Sequence, residues 1–157
     1  MRKNSSAVHL VILLMVSLLT PLGTYATDST ISTDITWSGQ HTLTGNVTIV
    51  QGTTLTVEPG ASIDCGDDYW ILVEGNLVVD GAHFYSSTPP VTQGSHGAGL
   101  WKGIEISSGG TALLNDTLIE NAKTALKING QLQANDLQIK HSYLSLIHIS
   151  EPTRPLE

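Results

Sequence analysis

Short apolar segments recur along the chain, and turns rich in glycine and asparagine separate them. Apolar and polar residues alternate within these segments, as in Val47, Thr48 and Ile49, which is typical of a β-strand with one buried face. Three segments follow one another before the set repeats about 20 to 24 residues later. The first segments are residues 47–49, 71–73, 104–106 and 126–128, the second are 55–57, 77–79, 112–114 and 132–134, and the third are centred on Ile63, Phe84, 117–119 and 137–139.

Three short strands in each repeat predict an all-β chain, a parallel β-helix (β-solenoid) of about four incomplete coils over residues 35–143. Around residue 70 two registers fit the alternation, and we favour the one that places Ile71 and Val73 inside. Residues 27–34 form a polar lead-in without periodicity. The Gly- and Pro-rich segment 85–100 interrupts the period and predicts a loop from one corner of the stack, either a binding loop or a solvated connector.

The N-terminal segment has the pattern of a secretory signal peptide. Arg2 and Lys3 precede an apolar run over residues 8–19, and small residues follow as far as Ala26. The run is shorter than the roughly 20 apolar residues that a membrane-spanning helix needs, so a retained anchor is the weaker alternative. Residues 1–26 therefore predict export, to the extracellular space or the cell surface.

The C-terminal segment 144–157 is expected to lie outside the β-helix. Residues 144–154 resemble the in-frame translation of a sequencing-library adapter, and we expect this tail to be non-native. The native part of the chain would then be an N-terminal fragment that ends near Tyr143, with an uncapped last coil. Because an uncapped coil exposes apolar residues and strand edges, we expect the fragment to associate with itself through this end.

The charge of the chain restricts its partners. The formal net charge is −7, and the predicted solenoid contains no arginine. Nucleic acids and anionic membranes are captured by clustered basic side chains, so we expect neither as a partner. The single cysteine, Cys65, has no partner for an internal disulfide bond and fits a buried free thiol. Four lysines supply the positive charge of the solenoid: Lys102, Lys123, Lys127 and Lys140.

Two parts of the chain resemble a known family. Residues 43–49 with 52–63 resemble the opening coils of secreted right-handed parallel β-helix proteins, the pectin-lyase-like superfamily. Residues 101–106 (Trp-Lys-Gly-Ile-Glu-Ile) are similar to a strand that recurs later in such chains. The resemblance implies a right-handed coil. It also implies either a carbohydrate-active enzyme or a surface protein without catalysis, because one fold hosts many functions.

The candidate site residues are a small group of acids and one histidine. Asp64, Asp67, Asp68 and His96 are the predicted ligand-binding residues. The resemblance implies catalytic aspartates or a basic residue beside calcium, but neither motif is complete here, and no catalytic residue is predicted. No metal ligands or cofactor are predicted either, although calcium on these acids is an alternative, and a solvated acidic corner is the simplest interpretation.

Two sequons, at Asn46 and Asn115, are candidate glycosylation sites. The sequence as a whole favours a secreted or cell-surface β-helix module for carbohydrate or protein binding or for structural display, which is non-catalytic in this fragment. The alternative is the N-terminal part of a polysaccharide lyase or glycoside hydrolase whose catalytic coils lie further along the chain.

Overall fold

The computed structural model describes residues 30–87 and 100–148. Every regular element in these ranges is a β-strand, and the strands form three parallel sheets. The predicted all-β parallel β-helix is thereby confirmed. Sheet I contains β1 (Thr30–Ile31), β4 (Val47–Ile49), β7 (Trp70–Val73), β10 (Gly103–Ile106), β13 (Thr124–Ile128) and β16 (Leu144–His148).

The other two sheets have five strands each. Sheet II contains β2 (Ile35–Trp37), β5 (Thr54–Val57), β8 (Asn76–Asp80), β11 (Thr111–Asn115) and β14 (Gln131–Asn135). Sheet III contains β3 (Gln40–Thr42), β6 (Ser62–Asp64), β9 (His83–Tyr85), β12 (Leu118–Glu120) and β15 (Gln138–Lys140). Each coil therefore contributes one strand to each sheet, and each strand pairs with its equivalents in the neighbouring coils.

The core consists of columns of apolar side chains that run along the stack. In sheet I, Val47 pairs with Ile71, Ile71 with Ile104, and Ile104 with Leu126. All four side chains are buried, as is Val73. The predicted inward register of Ile71 and Val73 is thus confirmed. The same in-register pairing continues in sheets II and III, so burial of one coil depends on the coils above and below it.

Cys65 lies in this core as a free thiol, as the sequence predicts. Its side chain is fully buried and donates a weak hydrogen bond to Ile63 O at 3.6 Å. Burial raises the pKa of the Cys65 thiol well above its ordinary value, and the neighbouring Asp64 carboxylate raises it further. The thiol is therefore a small apolar filler rather than a nucleophile.

The corner between sheets II and III is formed by a column of residues with left-handed backbone. The column begins with Gly60 and Gly81, whose φ angles are 79° and 61°, while Gly39, with a φ of 71°, lies in the shorter turn of the first coil. In the later coils Asp116 and Asp136 occupy the same position, with φ angles of 44° and 52°. Aspartate tolerates this conformation better than most residues with a side chain, so the corner keeps its shape when glycine is replaced.

The stack extends beyond the four coils marked by the sequence pattern. The first coil consists of β1, β2 and β3, of which β1 lies inside the predicted lead-in. Its strands have only two or three residues and contain few apolar residues, so no periodicity reveals them. At the other end, β16 lies inside the segment predicted to be adapter-derived, and it pairs with β13. The origin of that segment stays a prediction, because strand pairing does not test it.

The predicted loop over 85–100 falls largely on residues 88–99, which lie outside the described residues. On either side of them the stack is continuous. β9 pairs with β12, and β7 pairs with β10 in an unbroken register from Trp70 to Val73. Sheets III and I are therefore paired in register on both sides of the insertion.

Candidate functional site

The corner between sheets III and I carries the predicted acids, and Asp64 stabilises its backbone. Asp64 Oδ1 accepts hydrogen bonds from Gly66 N and Ser87 N, both at 3.1 Å. Asp64 Oδ2 accepts a third from Ser87 Oγ at 2.5 Å. These bonds join the corners of two successive coils, so the carboxylate is engaged in holding the base of the loop.

Asp67 and Asp68 have different partners from Asp64. Ser86 Oγ donates a hydrogen bond to Asp67 Oδ1 at 3.3 Å. Asp68, with a left-handed φ of 64°, forms ion pairs with Lys123 Nζ at 2.6 Å and with Lys102 Nζ at 3.6 Å. The three carboxylates share one corner but do not converge on a common point. His96 lies outside the described residues, so its predicted place beside them stays a prediction.

An exposed tryptophan lies beside this ion pair. The side chain of Trp70 is 38% exposed, and Lys102 Nζ lies 4.7 Å from its ring centroid. We call Asp68, Trp70, Lys102 and Lys123 the Trp70 corner. It concentrates two of the solenoid's four lysines in one place and offers a flat aromatic ring with donors around it.

Backbone pairing between coils explains why the lysines meet Asp68. Lys102 N donates to Tyr69 O, and Lys123 N donates to Trp101 O, each at 2.7 Å. The stacked corners therefore align Lys102 and Lys123 with the turn that contains Asp68. Sequence reasoning missed this cluster because its members come from three coils, and coil lengths vary.

The Trp70 corner gives a testable pKa. The hydrogen bond and positive charge of Lys123 lower the pKa of Asp68 below its ordinary value of 3.8, and Lys102 lowers it further. Because the folded-state pKa is the lower one, this stabilisation is present above the unfolded-state pKa and is lost as pH falls through the folded-state pKa. We expect Lys123→Gln to raise the Asp68 pKa towards 3.8, as measured by NMR titration of the carboxyl group.

The matched control for this titration is Lys140→Gln, which removes a lysine from sheet III. It should leave the Asp68 pKa unchanged. Equal shifts in the two variants would show that the overall charge of the protein, rather than the ion pair, sets the pKa of Asp68.

The outer face of sheet II carries an open groove of about 610 Å³. Its floor has two parallel rows of side chains that run along the stack, one residue per coil. One row is polar throughout, and the other contains the aliphatic residues Val78 and Leu113. The polar row is Thr54, Asn76, Thr111 and Gln131, and the second row is Val78, Leu113 and Gln133. We call this surface the sheet II groove.

Hydrogen bonds order the polar row before any ligand is present. Asn76 Nδ2 donates to Thr54 Oγ1 at 3.5 Å, and Thr111 Oγ1 donates to Asn76 Oδ1 at 2.5 Å. Since paired strands lie about 4.8 Å apart, equivalent side chains repeat at that interval along the groove. The surface is thus a periodic series of amide and hydroxyl groups beside aliphatic side chains.

A third cluster lies on the outer face of sheet III. Glu120 accepts hydrogen bonds from two imidazoles in the adjacent coils, His83 Nε2 at 2.9 Å and His141 Nδ1 at 3.2 Å. The ring of His83 also stacks on Tyr85, with centroids 4.8 Å apart. In residues 30–87 and 100–148 no three His, Cys, Asp or Glu side chains are placed to hold a metal ion. The carboxylate therefore joins three coils through hydrogen bonds.

The two sequons occupy different environments. Asn46 is exposed, and its Oδ1 accepts a hydrogen bond from Trp70 N at 3.3 Å. Asn115 is half-buried in sheet II, and the hydroxyl of Thr117, a buried side chain, donates to Asn115 O at 2.9 Å. A glycan on Asn46 would meet fewer neighbours than one on Asn115. Glycosylation at either residue stays a prediction.

No helix long and apolar enough to cross a membrane occurs in the part of the chain that the structure describes. Comparison of the chain with protein-family models, with curated proteins and with solved structures finds no match. The parallel β-solenoid is therefore established by the strand pairing itself.

Proposed function

We propose that this chain is an exported binding module that takes an extended, neutral polysaccharide along the sheet II groove. The observation that carries the proposal is the pair of parallel rows in the groove, one of amides and hydroxyls and one centred on Val78 and Leu113. A sugar ring presents hydroxyl groups at its edge and C–H groups on its faces. The polar row matches the hydroxyl groups, and the aliphatic row matches the C–H faces.

The periodicity of the groove favours a polymer over a small ligand. Each coil supplies an equivalent position in the polar row about 4.8 Å further along the stack, and two successive coils supply the aliphatic Val78 and Leu113 beside it. An extended chain of similar sugar units would therefore meet similar side chains in successive coils. Several weak contacts of this kind add up along the chain because the second and later units bind within one molecule.

The charge distribution favours a neutral polymer. Among the described residues that line the groove, none is charged, whereas the chain as a whole carries a formal charge of −7. An anionic polymer would gain no ion pair in the groove and would be repelled by the rest of the surface. A neutral polysaccharide avoids both costs.

Export and the wider resemblance support an extracellular setting for this activity. The signal-peptide pattern of residues 1–26 predicts secretion, and the resemblance to the pectin-lyase-like superfamily suggests carbohydrate as the ligand class. The same resemblance supports the alternative, the N-terminal part of a carbohydrate-active enzyme. Against catalysis by the described residues, Asp64, Asp67 and Asp68 are each engaged with separate partners.

The groove is tested with two leucines that occupy equivalent outward positions on different sheets. Leu113 lies in the groove, whereas Leu72 faces outward from sheet I, and both are half-buried. We expect Leu113→Lys to weaken binding of a neutral polysaccharide at least about tenfold, equivalent to about 1.4 kcal/mol. Leu72→Lys adds the same charge and should retain the affinity. Affinity electrophoresis against a panel of neutral and acidic polysaccharides measures both.

Three outcomes would contradict the proposal: no binding to any neutral polysaccharide, equal losses in the two variants, or preferential binding to acidic polymers. Turnover of a bound polysaccharide would instead favour the enzyme alternative.

A further inference from the structure

The side-chain amide of Asn76 has a fixed orientation in the sheet II groove. Thr111 Oγ1 donates a hydrogen bond to Asn76 Oδ1 at 2.5 Å, and Asn76 Nδ2 donates to Thr54 Oγ1 at 3.5 Å. If the amide were turned over, its nitrogen would lie 2.5 Å from Thr111 Oγ1. That is closer than the roughly 2.7–3.2 Å of N–H···O bonds, whereas O–H···O bonds reach about 2.5 Å. The short distance therefore places the amide oxygen, not the nitrogen, beside Thr111.

This orientation determines what Asn76 offers to a ligand. A side-chain amide has two N–H donors and one oxygen with two lone pairs. The oxygen receives the Thr111 proton, and one N–H is directed at Thr54. The second N–H has no partner within residues 30–87 and 100–148, and the half-buried side chain belongs to the lining of the groove. Asn76 is therefore chiefly a hydrogen-bond donor to the groove.

An aliphatic surface lies beside this donor. Val78 is two residues further along β8 on the same outer face, and Leu113 of the next coil pairs with it. Both side chains are half-buried. Alternate residues of a strand lie about 7 Å apart. The groove thus presents a donor and an apolar surface within the reach of one small substituent that has an acceptor at one side and a methyl group at the other.

We propose that this part of the groove recognises the acetamido group of an N-acetylated sugar unit. We call Asn76, Val78, Thr111 and Leu113 the Asn76 subsite. Asn76 Nδ2 donates a hydrogen bond to the acetamido carbonyl oxygen, and the acetamido methyl group packs against Val78 and Leu113. The inference rests on the proposed binding of a neutral polysaccharide and names its class, a polymer of N-acetylhexosamine. Such a polymer is uncharged, like the described lining of the groove.

A sugar hydroxyl group fits the subsite less well than an acetamido group. A carbonyl oxygen accepts the N–H of Asn76 without having to place a proton of its own. A neutral hydrogen bond contributes about fivefold to an equilibrium constant, and burial of one methyl group contributes about fourfold. A hydroxyl group in the same position provides no methyl group for Val78 and Leu113. The subsite should therefore select N-acetylated units over unsubstituted ones.

Thr111 is a positioning residue in this subsite. Its hydroxyl proton is used on Asn76 Oδ1, which keeps the amide nitrogen available to the groove. Because the amide is ordered before binding, the ligand does not have to pay the entropy of orienting it. Without the Thr111 hydroxyl, the amide can turn over and present its oxygen, which repels a carbonyl oxygen.

The test compares two β-1,4-linked hexasaccharides, one of N-acetylglucosamine and one of glucose, which differ only in the substituent at C2. Isothermal titration calorimetry with the full chain measures both Kd values, and their ratio is the selectivity. We expect the parent chain to bind the N-acetylated hexasaccharide at least about tenfold more tightly. Asn76→Asp keeps an oxygen beside Thr111 but replaces the donor by an acceptor, so it should lower the selectivity at least about threefold.

The matched control is Asn46→Asp, which adds the same charge at an exposed residue outside the groove. Its carboxylate can still accept the hydrogen bond from Trp70 N. This variant should keep the selectivity of the parent chain. Thr111→Val should also lower the selectivity, and Thr111→Ser, which keeps the hydroxyl group, should restore it. If Thr111 had a structural role alone, Thr111→Val would change both Kd values together and leave their ratio unaltered.

The inference is overturned if the parent chain binds the two hexasaccharides equally, prefers the glucose hexasaccharide or binds neither. It is also overturned if Asn76→Asp keeps the selectivity of the parent chain. The wider proposal of neutral polysaccharide binding is decided separately, by the polysaccharide panel and the Leu113→Lys variant. It survives equal binding of the two hexasaccharides and fails only with the outcomes given for it above.

Discussion

Gly110→Ala should destabilise the fold by about 4 kcal/mol or more, a loss at the upper end of the range for single substitutions. A Cβ atom at Gly110 would lie 2.1 Å from Val73 O in the preceding coil. That carbonyl oxygen cannot move away easily, because it accepts hydrogen bonds from Ser107 N at 3.0 Å and from Ser107 Oγ at 2.9 Å. Because the backbone fixes the position of Cβ and the atom it meets is a backbone oxygen, no side-chain rotation relieves the clash.

The matched control is Gly45→Ala, where nothing lies within 4 Å of the added carbon. We expect this variant to be neutral or to gain about 0.4–1 kcal/mol, because alanine restricts the unfolded chain more than glycine does. Urea denaturation followed by circular dichroism measures both free energies of unfolding. A loss below 1 kcal/mol in Gly110→Ala would show that the coils are spaced more loosely at this corner than the structure indicates.

Trp101→Ala should cost about 3–5 kcal/mol of unfolding free energy, the usual range for removing a large buried aromatic residue. The Trp101 side chain is fully buried, and its ring stacks against Phe84 with centroids 6.4 Å apart. Its Nε1 also donates to Glu120 O at 2.9 Å. The substitution therefore leaves a cavity and removes the hydrogen bond to Glu120 O.

Trp70→Ala is the comparison variant. Trp70 lies near the same corner as Trp101, but its side chain is partly exposed. It loses mainly the contact with Lys102, which is worth about 0.5–1 kcal/mol at an exposed site. Thermal denaturation of the two variants should differ by several degrees in Tm. Similar Tm values would mean that the core relaxes around Trp101 and fills the space.

Much of the coil pattern was predictable because one rule generates it. In a strand bounded by glycine, the alternation of apolar residues predicts which side chains face inward. Ile71 and Val73 follow that rule. The β-helix predicted from residue 35 includes β2 and β3 but not β1, and the repeat pattern does not mark the first coil as a unit. Its strands are short and carry polar residues such as Thr36 and Gln40, so pairing with the next coil, rather than local sequence, makes them strands.

The candidate surfaces were less predictable than the fold, since neighbours across coils depend on coil length. Thr48 pairs with Leu72, but Leu72 pairs with Glu105 across the longer interval that contains the insertion. No local sequence pattern predicts the length of that interval. Conversely, Asp67 and Asp68 are adjacent in sequence yet have different partners, because the left-handed backbone at Asp68 changes the direction of the turn.

The pairing of each coil with only its immediate neighbours has a consequence for how the molecule opens. A coil in the middle must break two interfaces to unfold, whereas the last described coil must break one. Opening free energies should therefore be graded along the axis, lowest at the last coil and highest in the centre. Local fraying would then leave most of the sheet II groove folded, because only Gln131, Leu132 and Gln133 of its lining belong to that last coil.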